Sequence, residues 1–163
     1  MKLECHTVLF VCLGNICRSP MAEAVFKSTV DENELNKVFF IDSAGTSSYH
    51  IGSSPDKRSV STCKKHAVPV NHKARQVNAA DFDRFDYILC MDRSNFSDLI
   101  DMKPRGSKAI VKLFGEYDPK GEVIIEDPYY GGQEGFEHNF RQVKRCSIGF
   151  LKSLGFLNDT NNS

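Results

Sequence analysis

The 163-residue sequence lacks any excess of charge of one sign. Lys plus Arg number 21 and Asp plus Glu also number 21, so the formal net charge is zero. This balance gives no support to nucleic-acid binding or to bulk attraction to a membrane surface. The sequence also lacks an apolar run long enough to span a bilayer. It therefore predicts a soluble protein that binds no nucleic acid and has no membrane span.

The sequence also predicts no secretion signal. The start, "MKLECHTVLFVCLGN", has a short apolar core but no small-residue cleavage site. Without such a signal, free thiols are expected rather than a disulfide framework. The sequence therefore predicts a cytoplasmic protein with six scattered free cysteines: Cys5, Cys12, Cys17, Cys63, Cys90 and Cys146.

Strand and helix patterns alternate along the chain. Four apolar segments are typical of strands buried on both faces of a parallel sheet: "HTVLFVCL", "KVFFIDS", "DYILCMD" and "AIVKLFG". The first helical pattern follows Ser19-Pro20, which we expect to cap and open a helix. Others are "DKRSVSTCKKHAV", "RSNFSDLIDMK" and an amphipathic stretch from about Gly135 to Leu154, with Gly155 placed to end it. The alternation predicts an α/β fold, a four-stranded parallel sheet with helices on both faces.

The sequence contains no internal repeat, no low-complexity linker and no domain boundary. It predicts one domain over residues 1–157, followed by a polar tail, 158–163, that we expect to be disordered. Ligands of open parallel sheets bind beyond the carboxyl ends of the strands. The loop between the predicted first strand, ending near Cys12, and the first helix, beginning near Ser19, has this position.

This loop, "VCLGNICRSP", has residues suited to binding a phosphate. A helix N-terminus presents unpaired N–H groups, and Gly14 and Asn15 tolerate the left-handed conformation that lets successive N–H groups converge on an anion. Arg18 adds a charged planar fork. These groups favour the thiolate of Cys12, which would be a nucleophile aimed at phosphorus. Ser19 is placed to donate a hydrogen bond to that sulfur.

Other interpretations of the two cysteines fit less well. A zinc site needs about four ligands, and the sequence offers no second cysteine or histidine pair. A nucleotide-binding loop needs a Gly-Lys pair, which is absent. Two cysteines that merely pack as small apolar residues would leave Gly14, Asn15, Arg18 and Ser19 unexplained. The residues favour a phosphate-binding nucleophile, which requires no metal and no cofactor.

The segment "CLGNICRS" resembles the signature loop of low-molecular-weight protein tyrosine phosphatases. A bare C-x5-R occurs by chance, but the longer "VCLGNICRSPMAEA" with a distant "DPYY" is specific. The resemblance covers nearly the whole chain, since further segments follow in the family's order: "DSAGTSSYHIG", "SPDKR", "HKARQV", "FDYILCMD" and "IIEDPYYG". It implies an enzyme that hydrolyses phosphotyrosine in proteins, or small aryl phosphates, through a phosphocysteine intermediate.

The resemblance also implies roles for individual residues. Cys12 is the nucleophile, and Asp127 is the general acid and base. From the residues alone, the Asp127-Pro128 pair after a strand-like "VIIE" is also an ordinary turn. The implied phosphate-binding loop contains Leu13, Gly14, Asn15, Ile16, Cys17, Arg18 and Ser19.

Further implied roles lie around this loop. Asn15, Ser43 and His72 resemble a network that supports the loop, although a turn, a strand end and a surface position explain them equally well. The walls of the substrate cleft correspond to Tyr49 and His50 on one side and Tyr129 and Tyr130 on the other. Relatives form a reversible disulfide with the nucleophile, here Cys12 with Cys17, and can self-associate as weak homodimers through the active-site face.

Two rival functions fit the sequence less well. An arsenate reductase can share this fold and loop but carries a cysteine pair where this sequence has only Cys90. A catalytically inactive phosphotyrosine-binding or redox-sensing module is disfavoured because Cys12, Arg18 and Asp127 are all present.

Overall fold

Four parallel strands form an open sheet in the computed structural model, which describes residues 5–158. The strands lie in the order β2-β1-β3-β4, and each neighbouring pair is parallel. Residues 159–163, most of the predicted tail, lie outside the described residues. The predicted sheet is confirmed, and its strands are β1 (His6–Cys12), β2 (Phe39–Gly45), β3 (Tyr87–Cys90) and β4 (Ile110–Leu113).

Helices cover both faces of the sheet, as predicted. Side chains alternate along β1, so that Val8 and Phe10 join one core and Leu9 and Val11 join the other. The first core contains residues of α1 (Arg18–Glu32), α2 (Lys57–Lys65) and α5 (Gln133–Ser153), and the second contains residues of α3 (Asp81–Arg84) and α4 (Arg93–Met102). A short 3₁₀ helix, Phe114–Tyr117, follows β4.

Aromatic rings hold α1 and α5 against the sheet. Phe10 of β1 contacts Phe26 of α1 at 5.6 Å between ring centroids and Phe114 at 4.9 Å. Phe26 in turn contacts Phe150 of α5 at 5.6 Å. Buried aromatic pairs of this kind contribute about 0.5–1.5 kcal/mol beyond the burial of their area. They fix the direction of α1, whose first turn carries part of the site.

The start of α1 differs from the prediction. The helix begins at Arg18 with Cys17 at the N-cap position, and no side chain caps it. The expected cap at Ser19 is wrong, because this side chain lies inside the helix and its hydroxyl faces the sulfur of Cys12. The first N–H groups of α1 therefore have no side-chain cap competing for them.

The segment 123–126, expected to be strand-like, is irregular. It meets the sheet only locally, where the Ile125 N–H donates to the Met91 carbonyl at 2.9 Å. A single bond of this kind does not make a ladder, but it anchors the chain just before Asp127 to the end of β3.

Helix α5 ends as predicted. Gly155 has φ +86°, and its N–H donates to the carbonyl of Lys152 at 3.0 Å. The Phe156 N–H then donates to the Leu151 carbonyl at 2.9 Å, which satisfies a second carbonyl of the last turn. None of the helices formed by residues 5–158 is long and apolar enough to cross a membrane.

Candidate active site

The loop between Cys12 and Arg18 is fixed against the end of β2. The Thr46 N–H donates to the Cys12 carbonyl and the Ser47 N–H to the Leu13 carbonyl, both at 2.9 Å. A side chain at Gly45 would place its Cβ 2.7 Å from the Leu13 oxygen. Glycine is therefore required where β2 supports the loop.

Asn15 turns the backbone of the loop. Its φ of +57° lies in the left-handed region, as the sequence predicts for a residue tolerant of that conformation. The turn directs the Asn15 N–H at the Cys12 sulfur, 3.3 Å away. A donor from the backbone thus faces the proposed nucleophile.

The Asn15 side chain is completely buried and makes four hydrogen bonds. Its amide nitrogen donates to Ser19 Oγ at 2.8 Å and to Ser43 Oγ at 3.0 Å. Its oxygen lies 2.7 Å from His72 Nε2 and accepts from the Arg75 N–H at 3.0 Å. The network expected from Asn15, Ser43 and His72 is present, and it holds the left-handed turn in place.

A buried carboxylate that was not predicted from the sequence extends this network. Ser43 donates to Glu23 Oε1 at 2.6 Å, and His72 Nδ1 lies 3.2 Å from the same oxygen. Lys27 pairs with the other oxygen at 2.7 Å. Since the Asn15 oxygen can only accept, the hydrogen-bond network assigns a proton to His72 Nε2. One signal was available, because Glu23 interrupts the otherwise apolar "MAEAVF" of α1.

Two donors converge on the sulfur of Cys12, which is only 3 % exposed. Ser19 Oγ lies 3.0 Å from the sulfur. Because Ser19 accepts from the Asn15 amide, it uses its own proton as a donor, and two acceptors lie within reach: the sulfur at 3.0 Å and the Ala44 carbonyl at 3.4 Å, of which the sulfur is the nearer. Together with the Asn15 N–H, this hydroxyl stabilises negative charge on the sulfur.

Arg18 is buried among negative charges. Its guanidinium donates to the Asp92 carboxylate and, at 3.0 Å, to the Ile125 carbonyl. Burial alone lowers the pKa of Arg18, but the facing charges of Cys12, Asp92 and Asp127 more than offset it and raise the pKa above its ordinary value. Arg18 therefore stays cationic at any working pH.

Asp92 is a second residue of the site that was not predicted from the sequence. Besides pairing with Arg18, it caps α4 by accepting the Asn95 N–H at 2.9 Å. The available signal was its position, two residues beyond β3 at the carboxyl edge of the sheet. The Asp92 carboxylate therefore both caps α4 and binds Arg18.

Asp127 faces Arg18 across a cleft. One carboxylate oxygen lies 3.9 Å from the Arg18 guanidinium, and the other accepts the Tyr129 N–H at 3.1 Å. The cleft has a volume of about 300 Å³ and brings together residues that are 115 positions apart in sequence, Cys12 and Asp127. Its lining contains every predicted catalytic and cleft-wall residue and four further residues of the predicted phosphate-binding loop: Cys12, Leu13, Gly14, Ile16, Cys17, Arg18, Tyr49, His50, Asp127, Tyr129 and Tyr130. The other two residues of that loop, Asn15 and Ser19, are fully buried and do not line the cleft.

The walls of the cleft are aromatic and partly exposed. Tyr49 is 79 % exposed and Tyr130 95 %, whereas Tyr129 is 37 % exposed and packs edge-on against Tyr130 at 4.8 Å. Exposed aromatic rings around a phosphate site suit an aromatic ester, which they can contact on its faces and edges.

The two cysteines of the loop have different environments. Burial, with a smaller contribution from the Asp56 charge, raises the pKa of the Cys17 thiol to about 12. Cys17 is therefore a neutral thiol at neutral pH, and the donors that favour charge on sulfur face Cys12 instead. All six cysteines are unpaired, as predicted.

The fold and the loop together define an α/β protein with a cysteine-centred phosphate site. Residues 7–157 match the family described as low molecular weight phosphotyrosine protein phosphatase. A relative of that name from Saccharomyces cerevisiae is 52% identical over 153 residues, covering 90% of this chain and 93% of the relative. The chain therefore belongs to the low molecular weight phosphotyrosine protein phosphatase family. This confirms the family expected from the sequence and its enzyme class, the phosphoric monoester hydrolases.

Solved structures agree with this assignment. A protein tyrosine phosphatase from Entamoeba histolytica superposes with a TM-score of 0.89 at 36% identity, covering 92% of this chain and 97% of that one. A Drosophila arginine phosphatase superposes with a TM-score of 0.86 at 39% identity, covering 90% and 96%. The same fold thus carries enzymes named for two different phosphorylated side chains.

Proposed function

We propose that this protein removes phosphate from phosphotyrosine in proteins and from small aryl phosphates. The observation that carries the proposal is the convergence of Cys12, Arg18 and Asp127 on one cleft with aromatic walls. No step of the proposed reaction needs a metal or a cofactor, because Arg18 and the N–H groups of the loop supply the positive charge.

The first step transfers the phosphoryl group to the protein. The Cys12 thiolate attacks phosphorus in line, so an S–P bond forms while the P–O bond to the phenol breaks. Asp127, in its protonated form, gives its proton to the departing oxygen. Arg18 and the loop N–H groups bind the equatorial oxygens and stabilise their charge in the transition state.

The second step releases the phosphate. Asp127, now ionised, takes a proton from a water molecule that attacks the phosphocysteine. The S–P bond breaks, and the sulfur leaves as a thiolate that the Ser19 hydroxyl and the Asn15 N–H stabilise. Inorganic phosphate then leaves, and both catalytic groups have returned to their starting states.

The substrate class is tested with one peptide that carries either phosphotyrosine or phosphoarginine at the same position. We expect kcat/KM to be at least roughly tenfold higher for phosphotyrosine, because the aromatic walls contact its ring. Phosphate release measures both reactions. A preference for phosphoarginine would overturn the tyrosine assignment while leaving the phosphatase chemistry intact.

We also propose that Cys17 protects Cys12 from irreversible oxidation. Peroxide converts the Cys12 thiolate to a sulfenic acid, and the Cys17 thiol then displaces water from it to form a disulfide. Both cysteines line the same cleft, which supports the pairing. Mass spectrometry after mild peroxide treatment should find a Cys12–Cys17 peptide pair; inactivation without this pair would exclude the role.

Two further proposals concern the protein in the cell. Six unpaired cysteines support a cytoplasmic location, because thiols stay reduced there.

The exposed side chains of Leu13, Tyr49 and Tyr130 around the cleft support weak self-association through this face. Sedimentation that shows only monomer at millimolar concentration would exclude the dimer.

A further inference from the structure

We propose that Arg58, in the first turn of α2, is a positioning residue that holds the Asp127 loop over the phosphate site. The inference rests on the proposed function, because it takes Asp127 to be the general acid. Arg58 acts through the backbone of the loop, not on the substrate.

The guanidinium of Arg58 is fixed on its own helix. Asp56, the N-cap of α2, accepts from Arg58 Nε at 3.1 Å and from a terminal nitrogen at 3.0 Å. It also accepts the Arg58 backbone N–H at 2.9 Å. A planar fork bound at two points to a carboxylate has little freedom to rotate. The orientation of Arg58 is thus set before it meets the loop.

The same guanidinium reaches two other parts of the chain. Its terminal nitrogen donates to the Tyr129 carbonyl at 3.0 Å. Its central carbon lies 4.6 Å from the ring centroid of Phe136, in the first turn of α5, and 5.5 Å from that of Tyr129. One side chain therefore joins α2, the Asp127 loop and α5.

The bond to Tyr129 bears directly on the position of Asp127. Tyr129 lies two residues after Asp127 and donates its N–H to the Asp127 carboxylate at 3.1 Å. On the other side of Asp127, the Glu126 carbonyl accepts from Asn139 of α5 at 3.1 Å. Asp127 thus lies between two tethers, and Arg58 supplies the one next to the hydrogen bond that orients its carboxylate.

Losing this tether should impair protonation of the leaving group more than attack by Cys12. A displacement of about 1 Å at a catalytic group can cost on the order of 100-fold in rate. Phenolate is a poor leaving group and needs the proton from Asp127, whereas p-nitrophenolate leaves readily without it. Sensitivity to the leaving group therefore separates a positioning role from a purely structural one.

The test compares kcat/KM for phenyl phosphate and p-nitrophenyl phosphate in Arg58→Ala. We expect a loss of roughly tenfold for phenyl phosphate and less than about twofold for p-nitrophenyl phosphate. Arg58→Lys should fall between wild type and Arg58→Ala, because one ammonium cannot replace the fork. Lys57→Ala is the matched control, since this exposed neighbour carries the same charge; both rates should stay unchanged.

Asp127→Ala serves as the reference and should show an even larger difference between the two substrates. If it does, and both Arg58 variants lower the two rates equally or not at all, the positioning role is overturned and the proposed function stands. If Asp127→Ala shows no difference, the acid role of Asp127 fails, and the role of Arg58 fails with it. Arg58→Lys keeps the test decisive should Arg58→Ala not fold.

Discussion

Asn15 links the shape of the phosphate-binding loop to its chemistry. The left-handed backbone costs a non-glycine residue about 1–2 kcal/mol, and four hydrogen bonds made by the buried side chain offset that cost. The backbone N–H of Asn15 points at the Cys12 sulfur because the backbone has this left-handed conformation. A residue that looks like an ordinary turn asparagine in the sequence therefore carries both the loop conformation and one donor to the sulfur.

Two substitutions separate the contributions of Asn15. Asn15→Gly keeps the backbone conformation and loses the side-chain bonds, so we expect it to lower the free energy of unfolding by about 1–3 kcal/mol. Asn15→Ala loses the side-chain bonds and also strains the left-handed backbone, so it should lower the free energy of unfolding by about 1 kcal/mol more. Urea unfolding measures the two values, and kcat/KM should fall in the same order.

Ala67→Gly is the control for Asn15→Gly. Ala67 also has a left-handed backbone, φ +59°, but lies at an exposed position after α2. Glycine there should leave kcat/KM unchanged. If Asn15→Ala were as active as wild type, the network around the loop would have no catalytic importance.

Among individual residues, the sequence predicted those whose signals lie close together along the chain. Cys12, Gly14 and Arg18 lie within one short loop, so their spacing was visible. Asp92 and Arg58 were missed because their partners are distant: Asp92 meets Arg18 across 74 positions, and Arg58 meets Tyr129 across 71. Only the folded sheet and helices bring such pairs together.

At the scale of elements, an ion pair fastens α5 to the segment after the 3₁₀ helix. The Asp118 side chain is fully buried and accepts from two nitrogens of Arg145 at 2.9 and 3.0 Å. Burial alone would raise the pKa of Asp118, but the hydrogen bonds from Arg145 and from the Lys120 N–H more than offset it and lower the pKa. The charged form of Asp118 therefore stabilises the folded protein.

The lowered pKa gives a stability prediction with a definite sign. The contribution of Asp118 is fully present above its ordinary pKa of about 3.9 and is lost as the pH falls through the lowered folded value. We expect Asp118→Asn to destabilise the protein by about 3–5 kcal/mol at neutral pH. Urea unfolding of both proteins between neutral and acid pH should show this difference shrinking below about pH 4. A difference independent of pH would contradict the assignment.

Element prediction succeeded where the hydrophobic pattern was long or strongly apolar. The four strands and the helices α1, α2, α4 and α5 were found, because each pattern reports burial against the sheet. The elements α3 and the 3₁₀ helix, each of four residues, were missed since such lengths show no periodicity. The segment 123–126 is apolar because Ile125 fills a core position, not because it pairs as a strand.

At the scale of the whole molecule, the active site is a property of the sheet topology. Cys12 ends β1, Gly45 ends β2, and Asp92 lies two residues after β3, so the carboxyl edges of three adjacent strands meet at the phosphate loop. The sequence predicted this edge as the binding site from the alternation of strands and helices. It did not predict which acid would anchor Arg18, because that choice depends on strand order, and the chain order does not give it.

We propose that Cys12 is the nucleophile of a phosphatase that needs no metal. The most direct measurement is hydrolysis of p-nitrophenyl phosphate by wild type and by Cys12→Ser, each with and without a metal chelator. Serine has nearly the same shape, so circular dichroism and the melting temperature should show an intact fold. We predict that wild type is active in the presence of the chelator and that Cys12→Ser loses at least roughly 10⁴-fold in kcat. Full activity in a folded Cys12→Ser protein would show that Cys12 is not the nucleophile, and loss of wild-type activity on chelation would show that the reaction needs a metal.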